Sequence, residues 1–168
     1  AQIMLKITGI GRDSLTEQTF AIYEITSNDY ITKKPISAGK SQADTTFYIN
    51  FDPTGPKDAS GNKYADAVYD PSKKLFTFKL GGKGTTPSTA TAVTLTPTEE
   101  GEKYIKRLML QEGAYKGDYT IYSPDSLKYW IEAFKGLYIC PDPDTPIQQD
   151  GIKETGTLFA TSLDYSGL

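Results

Sequence analysis

Apolar and polar positions alternate along three segments as in half-buried strands: Thr19-Phe20-Ala21-Ile22-Tyr23-Glu24-Ile25, Thr46-Phe47-Tyr48-Ile49-Asn50-Phe51 and Lys74-Leu75-Phe76-Thr77-Phe78-Lys79-Leu80. Ala92 to Thr96 is a fourth strand candidate, and strand-like apolar runs also lie at Gln2 to Thr8 and at Thr157 to Tyr165. The period changes to that of a helix in two places. Glu99, Glu100 and Glu102 are acids placed for a first turn, and Tyr104, Ile105, Leu108 and Met109 then recur at helical spacing, which predicts a helix over 99–111. Ser123 or Asp125 can cap a second helix with Pro124 in its first turn. Leu127, Trp130, Ile131 and Phe134 form its apolar face, and Gly136 ends it in a left-handed conformation before the strand Leu137 to Cys140. Alternation then sets Tyr138 on the face opposite Leu137 and Ile139.

Between these elements, Asp52 to Ser72 is rich in Pro, Gly, Asp, Ser and Lys and reads as a long loop; Gly81 to Ala90 reads as a shorter linker. Fifteen glycines and ten prolines cut a tyrosine- and threonine-rich chain into short pieces. The expected fold is mainly β, an antiparallel β-sandwich with two short helices covering an edge or an open end, in a single domain of 168 residues. The abrupt strand-like ends read as those of a fragment of a longer protein, with any export signal or lipid anchor lying upstream.

Composition removes whole classes of chemistry. There is no histidine, which excludes Ser-His-Asp and Cys-His nucleophiles, histidine bases and histidine-containing metal sites. A net charge of -3 without a basic block argues against a nucleic-acid partner, and no apolar run is long enough for a transmembrane segment. Cys140 has no partner for an internal disulfide and reads as a small hydrophobe in a strand. Gly9-Ile10-Gly11-Arg12 and Gly81-Gly82-Lys83-Gly84-Thr85 lack the spacing of phosphate loops and read as turns, so no cofactor is expected.

The remaining candidate chemistry is carboxylate and aromatic. Asp142, Asp144 and Asp150 in a proline-stiffened loop offer oxygen ligands of the kind calcium takes, but without EF-hand spacing, and a solvated loop explains them more simply. Asp58 to Lys63 has turn chemistry of the same kind. A glycosidase needs two carboxyls at about 5 Å or about 6.5–9.5 Å, and sequence cannot pair Glu24, Asp118 and Asp125. Tyr115, Tyr119, Tyr122 and Tyr129 gather near Trp130, and exposed tyrosine faces stack on sugars. Trp130 falls on the apolar helix stripe and is assigned to packing. Tyr115, Tyr119 and Tyr122, with Asp118 as hydroxyl acceptor, form the predicted ligand-binding set.

The string Trp130-Ile131-Glu132-Ala133-Phe134-Lys135-Gly136-Leu137-Tyr138-Ile139, with Ile7-Thr8-Gly9-Ile10-Gly11-Arg12-Asp13 ahead of Ile22-Tyr23-Glu24-Ile25-Thr26, resembles a family of Bacteroidetes proteins catalogued as domain of unknown function 4270. Arg12 is a departure from the family pattern, and the resemblance is weakest over 52–90. It implies a jelly-roll-like sandwich within longer exported, lipid-anchored surface proteins, and it supplies no catalytic residues. The expected role is a non-enzymatic cell-surface module that binds carbohydrate or another cell-envelope component. The alternative is a structural or assembly domain of a larger surface lipoprotein. A carboxylate-only hydrolase comes third.

Overall fold

The computed structural model describes residues 1–10, 16–26, 69–82, 90–149, 152–154 and 159–163. The chain is mainly β. Its described elements are β1 (Gln2–Ile10), β2 (Gln18–Ile25), β3 (Tyr69–Leu80), β4 (Ala90–Thr94), β5 (Thr96–Pro97), α1 (Glu99–Leu108), α2 (Leu127–Ala133), β6 (Leu137–Pro141), β7 (Ile147–Gln149), β8 (Ile152–Glu154) and β9 (Phe159–Leu163). They form an antiparallel sheet of order β4-β1-β9, a second of order β5-β3-β2-β6, and the hairpin β7-β8. The predicted strand at 46–51 and the turn at 58–63 lie outside the described residues, as does most of the predicted linker at 81–90.

One face of β2 and β3 is built as the alternation requires. Phe20 pairs with Phe78 and Ile22 with Phe76, and the two phenyl rings of the first pair stack at 5.2 Å. Leu5, Ile7, Val93 and Phe159 from the other sheet join Phe20, Ile22, Phe76 and Phe78 in one buried cluster, to which α1 adds Tyr104. Both sheets therefore share one core.

Two irregularities interrupt β3, and the first decides where α1 sits. Ile22 pairs with Phe76 but Tyr23 with Lys74, so Leu75 is an extra residue in the ladder. Its carbonyl, turned out of the sheet, accepts the Thr98 backbone N–H at 2.9 Å and the Thr98 hydroxyl at 3.1 Å. Thr98 is also the N-cap of α1, accepting from the Gly101 amide at 3.2 Å, so the bulge and the helix start are one structure. The acids of the first turn stand as predicted, and Lys106 and Arg107 of the last turn also complement the helix dipole. The helix stops at Leu108, short of the predicted 111, because Leu110 enters the left-handed region at φ 56°, its side chain buried in return.

The second irregularity corrects the end of the predicted loop at 52–72, of which 52–68 lie outside the described residues. Ile25 pairs with Tyr69 although Tyr23 pairs with Lys74, so Asp70 to Lys73 bulge out opposite Glu24 while remaining part of β3. A bulge is where a strand tolerates proline, here Pro71. The Asp70 carboxylate holds the bend by accepting from the Ser72 amide at 2.9 Å and hydroxyl at 2.7 Å. Tyr69 justifies the longer strand energetically, because its ring lies 5.0 Å from Tyr23 and 4.8 Å from Tyr138.

The segment after α1 is made of short turns. Neither Ser123 nor Asp125 caps α2; 3-10 turns at Tyr119–Tyr122 and Pro124–Ser126 lead into it, and Ser126 stands at its N-terminus without a side-chain capping bond. Gly136, at φ 128°, takes the chain from helix to strand as predicted, in a backbone region that favours glycine. Tyr138 does lie apart from Ile139, but in an aromatic cluster with Tyr23 and Tyr69, while Leu137 is 39 % exposed.

Candidate functional site

A cleft of about 860 Å³ opens where these irregularities converge. The end of β2 contributes Glu24 to Thr26, and the β3 bulge contributes Asp70 and Lys73. Helix α1 adds Glu100, Lys103, Tyr104 and Arg107; the turn after it adds Tyr115, and the end of α2 adds Phe134 and Lys135. The helical phase of α1 places Lys103, Tyr104 and Arg107 on one side, and the Thr98–Leu75 anchor fixes that side against the sheet.

At its centre the Arg107 guanidinium meets Glu24 at 2.5 Å and lies 5.2 Å from the centre of the Tyr104 ring. Tyr104 stands edge-on to Phe76 at 6.4 Å and to Phe134 at 6.0 Å, which ties the cleft floor to the core. Burial pushes the Tyr104 phenol up to about 12, reinforced by Glu24 and opposed by Arg107, so its hydroxyl stays protonated across the physiological range. Lys103 bonds Glu100 at 2.8 Å and Glu99 at 3.0 Å. Those bonds raise its ammonium above the ordinary lysine range and hold Glu100 below the ordinary glutamate range. Gly113, at φ 86°, passes so close to Arg107 that an added Cβ would stand 3.3 Å from Cγ of the arginine.

Of the predicted ligand-binding set, Tyr115 lines this cleft and the other three do not. Asp118 caps the 3-10 turn, its Oδ1 accepting from the Thr120 amide at 3.1 Å and hydroxyl at 2.6 Å. Tyr122 donates its hydroxyl to the Leu108 carbonyl and packs its ring 5.3 Å from Trp130. Tyr119 is 69 % exposed. Trp130 is half-buried against Phe134 at 4.5 Å, in keeping with its assignment to packing. Glu24 lies in the cleft paired to Arg107, while Asp118 and Asp125 lie outside its lining.

The Asp142 loop is exposed at Pro143, Asp144 and Thr145, in keeping with a solvated segment, but not at its first residue. Asp142 is buried, and its place beside Asp144 is filled by the Lys74 ammonium, 2.5 Å from each carboxylate. A lysine thus supplies the positive charge that a bound cation would otherwise bring to these two acids; Asp150 lies outside the described residues. No group of three or more metal-ligating side chains occurs among the described residues. Gly9 and Ile10, read as a turn, belong to β1, where Gly9 follows a register shift.

Sequence reasoning missed Arg107, Tyr104, Lys103 and the bulge residues. The spacing of Tyr104 and Arg107 on one helix was legible, but nothing local links Arg107 to Glu24, 83 residues away. No family model, curated protein or solved structure matches the chain. Among the described residues no helix is long and apolar enough to cross a membrane.

Proposed function

We propose that the chain is a non-enzymatic surface module that binds carbohydrate in the cleft between α1, the β3 bulge and the end of α2. The observation carrying this reading is one concave site that joins aromatic surface, from Tyr115 and Phe134, to a paired Glu24 and Arg107. Its volume of about 860 Å³ falls in the range of small-ligand sites. Aromatic faces take the C–H face of a sugar ring, and an ion pair at the rim of that face offers both acceptors and donors to hydroxyls. A binding role rather than hydrolysis is supported by Glu24, whose Oε2 is committed to Arg107 instead of standing free as an acid or base. The exported, lipid-anchored setting and the jelly-roll-like arrangement of the two sheets belong to this reading through the family resemblance.

The assembly alternative rests on β6. Among the described residues it pairs only with β2, leaving an edge on which Leu137 is exposed.

Thermal unfolding against a panel of host and microbial polysaccharides tests the reading. A ligand at 100 times its Kd stabilises by about 2.7 kcal/mol, and Tyr115→Ala is expected to abolish that shift while leaving the unliganded midpoint unchanged. The absence of a shift with every polysaccharide overturns the carbohydrate reading and favours assembly through β6.

A further inference from the structure

Resting on the carbohydrate reading, we infer that the cleft selects neutral, hydroxyl-rich saccharides and rejects acidic ones. The argument is one of charge. The lining carries the carboxylates of Glu24, Asp70, Glu100, Glu112 and Glu132 against the cations of Lys73, Lys103, Arg107 and Lys135, an excess of one negative charge. Three of those cations stand beside a carboxylate, and the fourth is bonded to a backbone carbonyl. Arg107 holds Glu24 at 2.5 Å, Lys103 holds Glu100 at 2.8 Å, Lys73 reaches Asp70 at 3.8 Å, and Lys135 donates to the Glu132 carbonyl at 2.6 Å.

A uronate or sialate carboxylate entering at Arg107 or Lys103 must draw that cation away from its carboxylate partner, and it leaves that carboxylate uncompensated in a site already negative. A neutral diol needs no such exchange. The guanidinium has five N–H donors and the carboxylate two oxygens, so after their mutual bond both keep capacity for hydroxyls on adjacent ring carbons. Arg107 is also held in place, flanked by the Tyr104 ring and by Gly113, so the hydroxyl-reading pair is pre-positioned. Tyr115 and Phe134 add apolar surface for the ring itself.

Calorimetric titration of the intact chain tests this with paired probes: neutral gluco-, manno- and galacto-oligosaccharides, and the same oligosaccharides oxidised at C6 to uronates. The expected result is binding of at least one neutral series, lost in Tyr115→Ala, with the oxidised partner weaker by about tenfold or more. Glu24→Gln, which frees Arg107 from its counter-charge, is expected to strengthen binding of the uronate by a similar factor. Equal or tighter binding of uronates to the unaltered chain, abolished by Tyr115→Ala, overturns the selectivity and leaves the carbohydrate reading standing. Binding of neither series overturns both. Should Glu24→Gln not fold, the salt response of uronate binding to the unaltered chain decides: affinity that rises between about 0.05 and 0.5 M salt, as repulsion is screened, supports the inference, and affinity that falls overturns it.

Discussion

The Lys74 ammonium bridges the Asp142 carboxylate, 68 residues away and buried, and the exposed Asp144, at 2.5 Å from each. The two acids are chemically identical but physically unequal, since Asp142 is 4 % exposed and Asp144 76 %. Asp142 also accepts from the Asp144 amide at 3.2 Å and from the Thr145 hydroxyl at 3.0 Å, which shapes the turn after β6. Asp142→Ala is expected to cost about 3 kcal/mol, the low end for breaking a buried pair, because Lys74 retains Asp144. Asp144→Ala is expected to cost less than about 1 kcal/mol. Urea unfolding of the two variants measures the difference, and equal losses would show that burial does not govern this bridge.

The same pair sets a pH dependence. Burial acts to raise the Asp142 carboxyl, but hydrogen bonds from Lys74, the Asp144 amide and Thr145 outweigh it and hold the group below its ordinary value. Its contribution is therefore complete above the unfolded aspartate value of about 3.9 and is lost as pH falls through the lower folded value. Lys74 is raised: burial lowers it, and the bonds to Asp142 and Asp144 outweigh that. Its contribution is complete below the unfolded lysine value of about 10.4 and is lost as pH rises through the folded one. Denaturation curves across pH are expected to show a plateau between these limits, with Asp142→Asn flattening the acid limb below about pH 4.

Gly101 tests how tightly α1 is seated. Gly-to-Ala inside a helix ordinarily gains about 1 kcal/mol. Here an added Cβ would stand 2.0 Å from the Leu75 carbonyl oxygen and 3.2 Å from Cε1 of Phe76, so the helix must lift from the β3 bulge. Gly101→Ala is expected to reverse the usual sign and destabilise by about 1–3 kcal/mol. Because α1 carries Tyr104 and Arg107, saccharide binding should weaken with it. A stabilised variant would mean that α1 is not anchored through Leu75.

What the sequence made legible follows from the range of each interaction. Phe20, Ile22, Phe76 and Phe78 alternate within their own strands, and the acids of α1 lie in its own first turn, so local pattern suffices for those elements. Tyr69-Asp70-Pro71-Ser72 has the composition of a turn and is in fact a bend, but one inside β3, held there by Tyr23 and Tyr138 from distant strands. Leu110 ends α1 without the glycine that normally announces a left-handed stop. The cleft was the least legible part, since Glu24, Asp70, Arg107 and Phe134 meet only through the register of β2 with β3 and the seating of α1. Tyr115, which lines the cleft, stands out in the sequence because clustered aromatics leave a local mark.

Tyr119 and Tyr122 share one 3-10 turn and are expected to respond differently to substitution. Tyr122→Phe removes the hydroxyl that caps the Leu108 carbonyl, at a cost of about 1 kcal/mol. Tyr122→Ala also removes its ring from Trp130 and should cost more. Tyr119→Ala is expected to stay within about 0.5 kcal/mol of the unaltered chain, as for other exposed positions. Since neither residue lines the cleft, neither change should alter saccharide affinity by more than the accompanying loss of stability explains. A large loss of affinity in folded Tyr119→Ala would extend the binding surface onto this turn.

Cys140 is free and half-buried on β6, where its strand neighbour is Ala21. Burial pushes its thiol up, against the opposing influence of a hydrogen bond with Tyr138. The thiolate is the reactive form, so native protein at pH 8 should react with a disulfide reagent more slowly than an unstructured cysteine, whose ordinary value is about 8.5. Urea should restore the ordinary rate, and the native rate should keep rising with pH beyond that ordinary value. Rapid reaction of the folded chain at pH 7 would mean that the strand environment activates the thiol, and Cys140 would then need a role beyond packing in β6.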